Sequence, residues 1–368
     1  MSENIKKQFI PDQQVDWRQE SGALKMHLLD PTITEIMINR WDRIFIERAG
    51  VIEESPLKFN NVDQLWRFVQ AIAVIVKREL NNRHPYLDAR LPDGSRLNVV
   101  IPPITLDGPT LTIRKFNPNM VSFQQMIQMG VLDDKAVYFL NQAVQLKQNI
   151  IVSGGTGSGK TTLLNILSSF IPSKERVITL EDTAELQVNV KNVVRMETRP
   201  QLGSEPAVTM HQLLKNALRM RPDRIIVGEC RGVEAWDMLV AMNTGHEGSL
   251  TTLHANSGAD ALRRLESMIL QTGLDAPRDM IQEDISKTIS LIIQTERGFD
   301  GRRRIVEIIE LQGRNGTEYK IESIFQNFNG KTLKSTGVVP NFVNTPRVQK
   351  NQFPQNFFDP GVKIRLTA

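Results

Sequence analysis

The run Ile150-Ile151-Val152-Ser153-Gly154-Gly155-Thr156-Gly157-Ser158-Gly159-Lys160-Thr161-Thr162 constrains the fold of this chain more than any other segment. An apolar strand enters the pattern G-x-x-x-x-G-K-[ST], and a helical run, Leu163-Leu164-Asn165-Ile166-Leu167, leaves it. The glycines let successive backbone N–H groups curl around a phosphate, and the helix N-terminus adds its positive dipole end. Lys160 is then placed to reach the β/γ-phosphates and the Thr161 hydroxyl to ligate Mg²⁺. Strand before and helix after are the context the motif requires. Gly154, Gly155, Thr156, Gly157, Ser158, Gly159, Lys160, Thr161 and Thr162 are therefore expected to contact a nucleoside triphosphate and its Mg²⁺.

Beyond this loop, strands and helices alternate as in a parallel α/β sheet. Strands are expected at Asn149–Ser153, Arg176–Leu180, Val193–Glu197, Arg224–Val227, Ser249–Leu253 and Ile289–Gln294. Helices fall between them, at Met210–Met220, Val233–Met242, Ala259–Gln271 and Arg278–Thr288. Ahead of the loop lies a smaller α+β domain, 25–116. In it Ile33–Ile38 reads as a helix or turn and Arg43–Arg48 as a strand. Val62–Leu80 carries apolar residues at helical spacing, and strands follow at Tyr86–Leu91, Arg96–Ile101 and Thr110–Lys115. Residues 1–24 read as a flexible N-terminus and 117–120 as a linker, because Asn117-Pro118-Asn119 punctuates the pattern. The nucleotide-binding domain spans 121–330. The Pro-, Asn- and Gln-rich stretch 331–368 reads as a tail.

Hydrolysis requires a carboxylate for the magnesium shell and a group that orients water. Two apolar strands end in acid, where α/β sheets place their ligands. Arg224-Ile225-Ile226-Val227-Gly228-Glu229 offers Glu229, with Gly228 permitting close backbone approach. Val177-Ile178-Thr179-Leu180-Glu181-Asp182 offers Glu181 to activate water and Asp182 to hold the magnesium shell or a neighbouring side chain. His246 and His254 flank the strand Ser249–Leu253, where they can sense the γ-phosphate or couple it to subunit motion. Arginines stabilise transition-state charge in ring-shaped ATPases. Arg195 and Arg199 flank a strand end, Arg219 precedes the Gly-Glu strand, and Arg96 and Arg114 lie in the N-terminal domain.

These segments, in this order, resemble the type II/type IV secretion ATPase superfamily. Its phosphate loop, acidic "Asp box", Gly-Glu magnesium strand and "His box" match Gly154–Thr161, Ile178–Glu185, Ile225–Glu229 with Arg231, and Gly245–His254. Asp30–Asn39 and Leu91–Arg96 look like the CpaF/TadA branch, which powers tight-adherence (Tad, type IVc) pili and has a cousin that powers type IV secretion channels. The resemblance implies a RecA-like domain behind the N-terminal domain and a homohexameric cytoplasmic ring. That ring docks on an inner-membrane platform protein at the cytoplasmic face of a bacterial membrane. It further implies that Glu181 or Glu229 activates water while the other serves the magnesium, with Glu181 slightly favoured as base. Arg96, Arg114 and His254 become nucleotide contacts, and Arg195, Arg199, Arg219 and His246 interface or coupling residues. By the same resemblance the nucleotide lies between the two domains, and ATP closes one onto the other.

Bulk properties restrict the alternatives. With Cys230 alone, neither an intrachain disulfide nor a cysteine-cluster metal site can form. The polar start, Met1–Pro11, lacks a signal-peptide core, and the longest apolar run, Ala71–Val76, is far short of a bilayer span. Any membrane role is expected to be peripheral. A net charge of +4 is compatible with nucleic acid, but aromatic residues make up only 6%, which leaves little for base stacking. A nucleic-acid translocase and a nucleotide-gated scaffold with little turnover are the rival readings, and no nucleic-acid partner is expected.

Overall fold

Residues 17–48, 50–116, 121–201, 205–328, 332–349 and 352–363 are described by the computed structural model. The chain divides into two units, Met1–Pro118 and Asn119–Ala368. The expected linker, 117–120, and residues 1–16 lie outside the described residues.

In the first unit α1 (Trp17–Glu20) and α2 (Lys25–Leu29) precede β1 (Ile33–Arg40), β2 (Arg43–Arg48), β3 (Val51–Glu54), α3 (Val62–Ile75), β4 (Tyr86–Arg90), β5 (Arg96–Val100) and β6 (Thr110–Arg114). Among the described residues the strands form one antiparallel sheet, β3-β2-β1-β6-β5-β4. Ile36, Ile38, Ile44, Leu97, Val99, Leu111 and Ile113 alternate inward and bury against Leu65, Phe68, Val69 and Ile72 of α3. Three expectations are corrected here. Ile33–Ile38 is strand, not helix or turn: a register shift between Ile33 and Glu35 inserts a residue, so Ile33 and Ile36 share the buried side at a spacing that mimics a helix. Residues 17–24 are not loose, since Trp17 and Leu24 are buried and the Trp17 ring sits 6.2 Å from that of Phe68. Helix α3 stops at Ile75 rather than Leu80 because Lys77 adopts φ 54° and the Arg78 N–H turns back to the Ala73 carbonyl.

The second unit contains α4 (Phe123–Gln128), α5 (Asp134–Gln145), β7 (Ile150–Gly154), α6 (Lys160–Ser169), β8 (Arg176–Glu181), β9 (Asn192–Glu197), α7 (Met210–Ala217) and β10 (Arg224–Val227). Then come α8 (Glu234–Asn243), β11 (Leu250–Leu253), α9 (Gly258–Leu270), α10 (Arg278–Thr288), β12 (Leu291–Arg297), β13 (Arg303–Asn315), β14 (Glu318–Gln326) and β15 (Lys334–Ser335). Their order among the described residues is β15-β14-β13-β12-β7-β11-β10-β8-β9. From β12 to β9 every pair is parallel, and the β12–β15 edge is antiparallel. Strands β7, β10 and β11 are buried along their whole length, as central parallel strands must be when helices cover both faces. One apolar layer gathers α5 and α6, the other α7 to α10.

The β13–β14 hairpin was not foreseen, and it explains why the stretch after 331 is not a tail. Strand β15 pairs with β14, and Leu333, Phe342, Phe357 and Phe358 bury in the same layer as Phe139 and Phe325. Glu310 accepts hydrogen bonds from the backbone N–H groups of Asn341 and Phe342, at 3.0 and 3.3 Å. Lys135 Nζ donates to the carbonyls of Asp359 and Val362, at 2.6 and 3.3 Å. The polar composition of this stretch conceals a few phenylalanines that supply its burial.

Candidate active site

The phosphate loop joins β7 to α6. Gly154 packs so closely that a Cβ there would lie 2.4 Å from the Thr295 carbonyl oxygen, a backbone atom of β12 that cannot swing away. Gly159 opens α6 at φ 97°, a conformation that disfavours other residues. Gly155 and Thr156 are exposed at the tip, and Thr161 and Thr162 are half-buried on the first turn of α6. Ser158 Oγ donates to the Gly155 carbonyl at 2.8 Å and meets Thr295 Oγ1 at 2.8 Å, which fixes the loop to β12.

Lys160 is buried, its Nζ donating to the carbonyls of Gly154 and Gly155 at 3.0 and 2.9 Å. The same ammonium lies 3.3 Å from His254 Nδ1. His254 Nε2 stands 2.8 Å from Glu229 Oε1 but off the direction of a hydrogen bond, so that oxygen is buried without a directed donor. Glu229 Oε2 accepts from Arg231 at 2.7 Å, and the other end of that guanidinium reaches Asp182 Oδ2 at 3.2 Å. The contacts step from strand end to strand end in sheet order, β7, β11, β10, β8.

Charge follows from this packing. Burial pushes Glu229 up, but Arg231, His254 and Lys160 outweigh it and hold the carboxyl below its ordinary range. His254 is pushed down by burial and by Lys160 and Arg231 against the pull of Glu229. At neutral pH the pair is a carboxylate beside a neutral imidazole rather than an ion pair.

Glu181 sits differently. It is 3% exposed, and its Oε1 accepts the backbone N–H groups of Glu185 and Leu186 at 2.8 and 2.9 Å. Its Oε2 is buried without a partner. Gly228 leaves room for it, since a Cβ there would approach Glu181 Cγ to 3.0 Å. With neighbouring strands ~4.8 Å apart, β8 lies roughly 14 Å across the sheet from β7. Desolvation raises the Glu181 pKa. A folded-state carboxyl pKa above the unfolded one stabilises at low pH, and the advantage is lost as pH rises from the ordinary value through the raised one. Glu181→Gln, which keeps an acceptor and removes the buried charge, is therefore expected to unfold no earlier than wild type at pH 7, while Glu181→Ala loses about 1–3 kcal/mol from the stranded N–H groups. Denaturant titration of both variants at pH 7 and pH 4 checks this; equal losses in both would contradict it.

The remaining candidates scatter. His246 precedes β11 at the edge opposite to His254, so within one chain the two cannot meet the same phosphate. Its Nδ1 is buried and unpartnered. Arg195 and Arg219 are exposed, on β9 and after α7. Arg199 pairs with Glu205 at 3.0 Å. In the first unit Arg96 and Arg114 stand directly opposite each other on β5 and β6, and Glu35 faces Arg114 from β1. Two residues escaped the sequence reading: Arg303 Nε donates to the Gly157 carbonyl at 3.0 Å, and Arg297 flanks Gly157. The only signal was the density of arginines at 297–304 after an apolar strand.

The site fits a magnesium nucleotide. A hydroxyl at Thr161, a carboxylate at Glu229 with an oxygen lacking a directed donor, and an anion-seeking lysine form a hard-oxygen and cationic set. Among the described residues no three His, Cys, Asp or Glu side chains converge to cage a metal. Among the described residues no helix is long and apolar enough to cross a membrane.

Comparison with known proteins agrees with this picture. The family model described as "Type II/IV secretion system protein" matches residues 18–297. An uncharacterized protein of Methanocaldococcus jannaschii is 48% identical over 62% of this chain, and the match spans only 33% of that longer protein. The conjugal transfer protein TrbB of Rhizobium radiobacter is 36% identical over 81% of this chain and 89% of its own. The ATPase DotB of Legionella pneumophila shares the fold, a RecA-like domain behind an N-terminal domain, with a TM-score of 0.57, 23% identity, and coverage of 78% of this chain and 79% of that one. The chain carrying this loop and its line of strand-end contacts belongs to the type II/type IV secretion system protein family.

Proposed function

We propose that this protein is a magnesium-dependent ATPase that works as a homohexamer at the cytoplasmic face of the inner membrane and drives a type IV pilus of the Tad class or a type IV secretion channel through a platform protein. The observation that carries the reading is the unbroken line Lys160–His254–Glu229–Arg231–Asp182, which ties the phosphate lysine to the acidic strand ends. Lys160 binds the β/γ-phosphates, and Thr161 and Glu229 hold the magnesium, which when bound offsets phosphate charge. Neutral His254 is able to accept a hydrogen bond from Lys160 and so report on whether the lysine has left for a phosphate.

Asp182 holds Arg231 in place rather than the metal. Glu181, buried and committed to two backbone donors, fixes the segment 182–186. Glu185, half-buried on that segment, is proposed as the carboxylate that orients the water. Arg96 and Arg114, paired across β5 and β6, are proposed as anion contacts on the strength of the family resemblance. Arg195, Arg199, Arg219 and His246 are proposed for contacts between subunits. The resemblance of Asp30–Asn39 and Leu91–Arg96 to the CpaF/TadA branch supports the pilus, and the relative named for conjugal transfer supports the channel.

The test is mass-resolved oligomeric state alongside ATP turnover, with and without single-stranded DNA. A hexamer that hydrolyses ATP and ignores DNA is the expected result. Strong stimulation by DNA makes the protein a translocase, and a ring without turnover even when its platform protein is added makes it a scaffold.

A further inference from the structure

Strand β7 has two flanks. On the β11 side lie His254 and Glu229, the groups that serve the terminal phosphate and the magnesium. On the other side lies β12, and the turn from β12 to β13 carries a second cationic group to the loop. Arg303, the first residue of β13, donates from Nε to the Gly157 carbonyl at 3.0 Å, and its Cδ lies 3.3 Å from the position a Cβ would take on Gly159. Arg297, the last residue of β12, brings a guanidinium nitrogen within 3.5 Å of the corresponding position on Gly157. Arg303 is exposed, and its two terminal nitrogens have no hydrogen-bond partner among the described residues. Its neighbour Arg304 is by contrast occupied by Asp300.

A guanidinium anchored by Nε keeps a planar pair of terminal N–H groups, the geometry that receives a phosphate in bidentate fashion. Anchoring to the loop itself also removes most of the rotamer entropy that a long surface side chain loses on binding. The peptide it grips is held at both ends, since the Ser158 N–H turns back to the Gly155 carbonyl. The guanidinium therefore has a fixed address beside the loop, on the flank away from the hydrolytic groups.

We infer that Arg303 is a nucleotide ligand outside the four family motifs, and that it binds the phosphate nearest the nucleoside rather than the one transferred. This rests on the phosphate-loop reading above. A ligand at that end contributes equally to ATP and ADP, whereas a group acting on the terminal phosphate favours ATP.

The experiment measures dissociation constants of Mg–ATP and Mg–ADP by calorimetry on the full chain, for wild type, Arg303→Ala, Arg303→Lys, Arg302→Ala and Lys160→Ala. Arg303→Ala is expected to weaken both nucleotides by the same factor, roughly 10- to 100-fold, the worth of a hydrogen bond to a charged group. Arg303→Lys recovers part of that factor, Arg302→Ala stays within about twofold of wild type, and the KM for ATP rises with the ADP constant. Unchanged ADP affinity in Arg303→Ala overturns the proposal, and so does a loss for ATP that far exceeds the loss for ADP. If the nucleotide-free Arg303→Ala melts earlier and Arg303→Lys restores stability without restoring affinity, the residue only props the loop, which also overturns it. Failure of the underlying reading looks different: wild type then binds neither nucleotide, and Lys160→Ala changes nothing.

Discussion

Lys160→Ala is expected to remove ATP turnover, with kcat falling by roughly 10²–10³-fold or more, the usual effect of deleting a preorganised cationic or donor group that meets developing charge. The side chain is buried against the loop's own carbonyls and His254, so alanine also leaves the Gly154 and Gly155 carbonyls without their ammonium donor. Glu229→Gln should lose a similar factor for a different reason. It keeps the shape and an acceptor but removes the charge that Lys160, His254 and Arg231 together stabilise. His254→Ala, one step removed from the carboxylate proposed to hold the metal, should lose about 10–100-fold. Steady-state phosphate release at saturating ATP checks all three. If Glu229→Gln turned over like wild type, the line of contacts would be structural only.

The second large effect is expected on stability. Arg224 is fully buried, and its Nε and a terminal nitrogen reach Glu175 at 2.5 and 3.3 Å while the other terminal nitrogen donates to the Gly248 carbonyl at 3.1 Å. Glu175→Ala strands this guanidinium without a counter-charge, which costs about 3–5 kcal/mol. For a unit of this size that corresponds to a fall of roughly 6–20 °C in the melting temperature of the second unit. The pair lies at the start of β10, the edge of the sheet opposite the phosphate loop, so nucleotide binding by the protein that remains folded should be preserved. Thermal unfolding followed together with ADP binding tests both halves. The double variant Glu175→Leu with Arg224→Met should recover most of the loss, because well-packed apolar residues often replace a buried ion pair without penalty.

Local sequence was informative wherever one short segment contains its own physical reason. The phosphate loop, the apolar strands ending at Glu181 and Glu229, and helices such as Arg278–Thr288 were all legible before the fold was known. Ile33–Ile38 was misread because a bulge changes period 2 into an apparent helical spacing. The last segment was misread because Phe342 and Phe358 bury against Phe139, and Phe357 against Tyr138, far away in the chain.

The same division holds in the site. The sequence by itself determined which residue types carry charge and hydroxyl chemistry, and that they stand at strand ends, because alternating apolar strands and helices with a glycine loop admit few arrangements. Only the tertiary structure decided their ranks. Strand order places β11 and β10 between β7 and β8, which brings His254 and Glu229 to Lys160 and turns Glu181 inward to hold its own loop. Strand order also brings Arg303 to Gly157 across 146 positions of chain. Contacts of that range leave no periodicity behind: they depend on which strands become neighbours, a choice made by the packing of the whole sheet.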